Sequence, residues 1–218
     1  MPPGRDIPAA RYRAAVGVDE TMLQESGPGC LPPTRAGGGG GAGGAGEKRA
    51  WTIEFLRGNW SVERQIRDRR TGQDGSFLGT ARFLATADGR GLDYTEDGDL
   101  RFGGHHGPAQ RRLIYNGRAD GTADVRFADG REFYRLDLRQ GNWQAEHPCR
   151  ADSYHVTITR LSPDSFTETW QVAGPGKDYE LMTTYRRITY SASTEGPSDI
   201  GLASSGATLA ARLPGGPR

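Results

Sequence analysis

"LRGNWSVERQIRDRRTGQDGSFLGTARF", residues 56–83, alternates in two halves. In the first half Trp60, Val62, Arg64 and Ile66 fall on one side, and Ser61, Glu63 and Gln65 on the other. In the second, Phe77, Gly79, Ala81 and Phe83 share a side. A period of two marks a strand with one buried face, because successive side chains point to opposite faces. Between the halves stands Asp74-Gly75, a pair that suits tight hairpins because both residues tolerate positive φ. The stretch therefore predicts a β-hairpin whose apolar side faces a core.

The pattern continues on both sides. "GLDYTEDGDL", "AQRRLIYN", "TADVRF", "REFYRLDL", "NWQAEH", "SYHVTITRL", "SFTETWQV" and "YELMTTYRR" read as further short strands. Turn signals punctuate them: Asp-Gly at 88–89, 97–98, 120–121 and 129–130, Asn-Gly at 116–117 and Gly-Asn at 141–142. Upstream, "WTIEFL" (51–56) is the sole helical signal. About ten consecutive antiparallel strands predict an all-β, up-and-down barrel with a short N-terminal helix, since an open sheet would leave two bare edges. A barrel of this size holds a filled core or one small ligand.

Composition bounds the domain. All four Trp and all seven Phe lie between Trp51 and Arg187. Residues 1–50, which end in a linker-like "GGGGGAGGAG" (37–46), and residues 189–218 lack sustained apolar periodicity. Such segments do not bury enough apolar surface to offset their ordering entropy, so disorder is expected there. One domain is expected over 51–188.

Lys and Arg number 28 against 27 Asp and Glu, interspersed. That balance argues against a nucleic-acid or membrane-surface partner. No apolar run approaches the roughly 18 residues of a spanning helix. The N-terminus lacks the apolar stretch of a secretory signal, and Asp6, Asp19, Glu20 and Glu25 count against a transit peptide. Cys30 lies in the tail and Cys149 in the domain, so no disulfide framework is indicated. A cytoplasmic location is the expectation.

Two constellations carry candidate chemistry. "HPCRADSYH" (147–155) holds His147, Cys149, Asp152 and His155. Its alternation places Tyr154, Val156 and Ile158 toward the core and turns His155 away. The spacing matches no standard zinc signature, so no metal site is assigned and the cofactor stays open. The second constellation is the inner face. Arg64, Tyr94, Glu96, Arg111, Tyr115, Glu168, Tyr185 and Arg187 share faces with core residues. Buried charges are costly unless paired or liganded. Two explanations follow: internal ion pairs, Arg64 or Arg111 with Glu96 or Glu168, or a polar pocket for an anionic ligand. The candidate ligand-binding set is Arg64, Arg111, Tyr115, His147, Asp152, Tyr154, Tyr185 and Arg187. Arg111, His147, Tyr154 and Arg187 are expected to converge in the barrel or at its mouth.

"LRGNW" (56–60) and Arg186 or Arg187 in "TTYRR" resemble the two ends of a calycin barrel. That resemblance implies an arginine of the last strand packed across the first-strand tryptophan. More specifically, "LRGNWSVERQIRDRRTGQDGSFLGTARF", "GLDYTEDGDL", "FADGREFYRLDL", "HPCRADSYHV" and "QVAGPGKDYELMTTYRR" resemble, in order, domain-of-unknown-function family 6314. The resemblance covers about 51–187 and implies a calycin-like barrel without a known activity. One departure stands out: the family often has His after the Phe of its "DGRxF" motif, and this chain has Tyr134. The expected function is binding of a small molecule with an anionic or polar end. Three alternatives remain open: an isomerase or hydrolase using His147, Tyr154 and an arginine; nitrobindin-like haem binding through His147 or His155; and a purely structural interaction module with a filled barrel.

Overall fold

The computed structural model describes residues 34–35, 51–149 and 151–189. Most of the two predicted tails therefore lies outside the described residues. Helix α1 (Trp51–Leu56) leads into ten consecutive antiparallel strands. These are β2 (Gly58–Asp68), β3 (Gln73–Ala85), β4 (Gly91–Phe102), β5 (His105–Gly117), β6 (Ala123–Phe127), β7 (Glu132–Leu136), β8 (Asn142–Cys149), β9 (Asp152–Ser162), β10 (Ser165–Gly174) and β11 (Lys177–Arg187). A two-residue strand β1 (Thr34–Arg35) precedes them. One sheet results, in the order β1-β8-β9-β10-β11-β2-β3-β4-β5-β6-β7.

The first and last strands of the domain pair with each other, from Tyr179–Asp68 to Arg187–Trp60. The sheet instead ends at β7 on one side and at β1, beside β8, on the other. The barrel is thus nearly closed, with a seam between two strands that are neighbours in sequence. Side chains bridge it: Tyr134 lies 5.1 Å from Trp143, and Phe133 stacks on Trp170 at 5.4 Å.

The alternation read from 56–83 holds, but its turn is displaced. The reversal occupies 69–72, where the Asp68 carboxylate accepts from the Arg70 and Thr71 amides and Gly72 takes φ 68°. Asp74-Gly75 lies inside β3 and Asp97-Gly98 inside β4. Asn116-Gly117 likewise ends β5, and the following turn places Gly121 at φ 85°.

One end of the barrel is plugged by α1. Trp60 is fully buried and donates its indole N–H to the Leu56 carbonyl at 2.7 Å. Arg187 stacks over the Trp60 ring at 4.1 Å and donates to the carbonyls of Arg57 (2.6 Å) and Phe55 (2.7 Å). A helix end leaves carbonyls without intrahelical partners, and these two side chains supply donors. The first- and last-strand pair implied by the calycin resemblance is present.

Candidate functional site

The inner face carries a polar network. Arg64 is 1% exposed and grips Glu96 with two parallel bonds of 2.8 Å, while its Nε donates to Thr183 at 2.9 Å. Register explains the third bond, since Thr183 sits directly opposite Arg64 on β11. Tyr94 donates to Glu96, and its hydroxyl lies 3.3 Å from that of Tyr185. Tyr185 donates to Glu168 at 3.1 Å, and the Trp170 indole N–H supplies the other Glu168 oxygen. Of the two explanations for the inner charges, Arg64 realises the internal ion pair.

Arg111 is held differently. Its guanidinium lies over the Tyr94 ring at 5.4 Å and reaches Glu168 at 4.0 Å. Its buried Nε has no hydrogen-bond partner among the described residues. A buried donor left unmade costs free energy comparable to a lost hydrogen bond. The electrostatics keep every arginine here charged and every tyrosine protonated. Burial pushes the Tyr94, Tyr115, Tyr134 and Tyr185 hydroxyls well above their ordinary range. Burial disfavours the Glu96 carboxylate, but Arg64 and Arg111 outweigh it and hold Glu96 below the usual carboxylate value. The tyrosines are therefore hydrogen-bond donors and not bases at neutral pH.

A cavity of about 380 Å³ opens at the seam. Its apolar walls are Val125, Phe133, Tyr134, Trp143 and Ala145. Its rim carries charges that neutralise one another: Arg139 forks onto Asp137, and Asp124 takes both Arg118 and Arg135. Tyr134 joins cavity and network, because its hydroxyl is hydrogen-bonded with Tyr115 and lies in the fields of Glu168 and Arg111.

Of the predicted site residues, Arg64, Arg111, Tyr115 and Tyr185 meet inside the barrel. Asp152 and Tyr154 lie at the turn end, where Lys177 bonds Asp152 at 2.7 Å and the Tyr154 hydroxyl at 2.9 Å. His147 occupies the register position opposite Tyr154. Arg187 does not join them. It sits eight residues along β11 from Tyr179, on the order of 27 Å away at the usual strand rise. The expected convergence of Arg187 with Tyr154 is corrected accordingly: Arg187 is committed to Trp60 and the helix end. His155 faces outward to Glu146 at 3.4 Å, so it offers no ligand to the interior for haem.

Sequence alternation missed Tyr134 and Trp143 as cavity residues. Phe133 and Tyr134 are adjacent and both buried, because a register shift between Val125 and Arg126 inserts an extra residue opposite β6. A bulge breaks the period of two that the reading depends on.

A nearly closed antiparallel barrel with a charged, hydrogen-bonded interior and a side cavity defines the class of this protein. Within that class the chain belongs to the family of unknown function DUF6314, which it matches over residues 56–187. No curated protein sequence matches it. Among solved structures it is similar to the S-type phycobiliprotein lyase CPES from Guillardia theta, with 9% identity, TM-score 0.45, and coverage of 64% of this chain and 92% of the lyase. It is also similar to mFAP1, a redesigned β-barrel bound to DFHBI, with 17% identity, TM-score 0.35, and coverage of 63% and 100%. A DUF3598-family protein of unknown function from Nostoc punctiforme aligns at 11% identity and TM-score 0.35, over 62% of this chain and 49% of its own.

Proposed function

We propose that the barrel binds a small molecule with an anionic or hydrogen-bond-accepting head and an apolar body. One observation carries the reading: Arg111 is a buried cation whose Nε lacks a partner among the described residues, and its field reaches Tyr134, which lines the cavity. Stability alone does not favour such a group, because an apolar side chain of similar size avoids the desolvation cost. In this reading the apolar body lies against Phe133, Trp143 and Val125. The Tyr134 hydroxyl donates to the head, and Arg111 supplies the countercharge. Arg64 serves the site indirectly by holding Glu96, and Tyr115 and Tyr185 orient the network. Asp152 and Tyr154 belong to the turn-end mouth and are assigned to its closure with Lys177; His147 stands at the register position opposite Tyr154.

Native mass spectrometry of the full chain as isolated tests the reading. The expected result is a retained small molecule that is lost in Arg111→Met and weakened in Tyr134→Phe. Arg111→Met should stay within about 1 kcal/mol of wild type, because losing the Glu168 countercharge is offset by removing an unsatisfied buried donor. Undiminished retention by Arg111→Met would overturn the reading.

A further inference from the structure

The buried tryptophans use their indole N–H groups differently. Trp60 donates to the Leu56 carbonyl and Trp170 to Glu168. Trp143 is only 7% exposed, yet its N–H meets no acceptor among the described residues. A buried indole N–H ordinarily finds a partner, because an unmade bond forfeits the donor's hydration. This nitrogen is not sealed in protein, and Trp143 lines the cavity. Its ring has one ring neighbour among the described residues, Tyr134 at 5.1 Å. We propose that Trp143 sets the specificity of the cavity, its N–H selecting a planar heteroaromatic acid with a hydrogen-bond acceptor in the ring system. The proposal rests on the binding reading above and names the ligand class for that same site.

The balance of donors and acceptors supports it. Each carboxylate lining the cavity already has donors. Asp137 takes the Arg139 fork, and Asp124 takes Arg118 and Arg135. Glu132 takes Arg126, and Asp120 accepts from the Thr122 amide and hydroxyl. The unspent buried groups here are donors instead: the Trp143 N–H in the wall and the Arg111 Nε in the interior. A ligand that satisfies both brings an anion and, apart from it, a neutral acceptor. A saturated tail offers no acceptor and leaves the indole N–H desolvated and unpaired.

Shape points the same way. The cavity of about 380 Å³ lies toward the small end of ligand sites, roughly 300–1,000 Å³. Phe133, Tyr134 and Trp143 give it aromatic walls, and Trp170 backs Phe133 in parallel at 5.4 Å. Ring contacts with such walls add stabilisation beyond the area they bury, and a rigid ring has little conformational freedom to lose. A ring nitrogen accepts in the plane of its ring. One ligand can therefore lay a face against Tyr134 and turn its acceptor edge to the Trp143 N–H.

Titration calorimetry of the full chain with three acids tests this. They are a quinoline carboxylate whose nitrogen lies on the ring remote from the carboxylate, the naphthoate of identical shape, and decanoate. Wild type should bind the quinoline acid about five-fold tighter than the naphthoate, the size of one net hydrogen bond, and decanoate most weakly. Trp143→Phe keeps an aromatic wall and removes the N–H, so the two aromatic acids should become equal. In the nitrogen–proton NMR spectrum of wild type, the Trp143 indole resonance should move downfield with the quinoline acid and far less with the naphthoate. Equal affinities in wild type, or a preference that survives Trp143→Phe, would overturn the selection by Trp143. Decanoate binding tightest, and losing affinity in Arg111→Met, would overturn the ligand class and leave the binding reading standing. Binding of none of the three would also overturn the class, while native mass spectrometry of Arg111→Met decides the reading separately. Should Trp143→Phe unfold, the wild-type resonance decides: an indole signal unmoved by the quinoline acid would overturn the proposal.

Discussion

Two buried arginines on the same inner face differ in their hydrogen bonds. Arg64 spends its fork on Glu96 and its Nε on Thr183. Removing it leaves a buried carboxylate with only Tyr94 as donor. Arg64→Met should cost roughly 3–5 kcal/mol, the usual penalty for breaking a buried pair, measured by denaturant unfolding. Adding Glu96→Leu should recover a large part of that loss, since an apolar pair is no longer a broken one. Glu96 also sets an acid response. Its folded-state pKa lies below the ordinary 4.5, so the pair's contribution is complete above about pH 4.5 and fades as pH falls through the lower folded value. Glu96→Gln should flatten the acid limb of a stability-versus-pH curve. An unchanged limb would show that other carboxylates control acid unfolding.

Glycines decide the strands' shape. Gly79 and Gly98 face each other across β3 and β4. A Cβ on Gly98 would lie 2.3 Å from the Leu78 carbonyl oxygen and 2.7 Å from the Phe77 ring. The gap lets that ring lie down on the sheet, with the Arg64 guanidinium 5.2 Å above it. A pair of glycines thus positions the ion pair through one aromatic ring. Gly98→Ala should destabilise the fold by about 2–3 kcal/mol, because the obstructing atoms are backbone and do not yield easily. Thermal unfolding of the variant checks this, and a wild-type midpoint would remove the packing argument. Asp-Gly reads alike in both settings. At 88–89 and 129–130 it makes turns with Gly89 at φ 67° and Gly130 at φ 88°, whereas at 74–75 and 97–98 the glycine admits a neighbour's close approach. The dipeptide reports only that a side chain is absent, and either use satisfies it.

The whole barrel is closed by its ends in sequence and opened in its middle. Trp60, Arg187 and α1 lock the first strand to the last, while β7 and β8 meet through Tyr134 and Trp143. A chain shortened to 51–190 should keep the melting temperature of the full protein, because its core includes every Trp and Phe. A fall of many degrees would show that chain outside 51–190 contributes to the stability of the barrel. No helix among the described residues is long and apolar enough to cross a membrane.

The alternation of Trp60, Val62, Arg64 and Ile66, and its echoes through Tyr185, determined strands, faces and the polar character of the interior. Those are local properties: a period of two settles which side chains share a face. The candidate residues Arg64, Arg111, Tyr115 and Tyr185 were legible for that reason. Which arginine found a partner, and that Arg187 belongs to the far end, depended on register across strands distant in sequence. The cavity was hidden for the same cause. It exists because β7 and β8 do not pair and because one bulge buries Phe133 and Tyr134 together. A one-residue slip reverses faces beyond it, and only the closed sheet reveals where the slip falls.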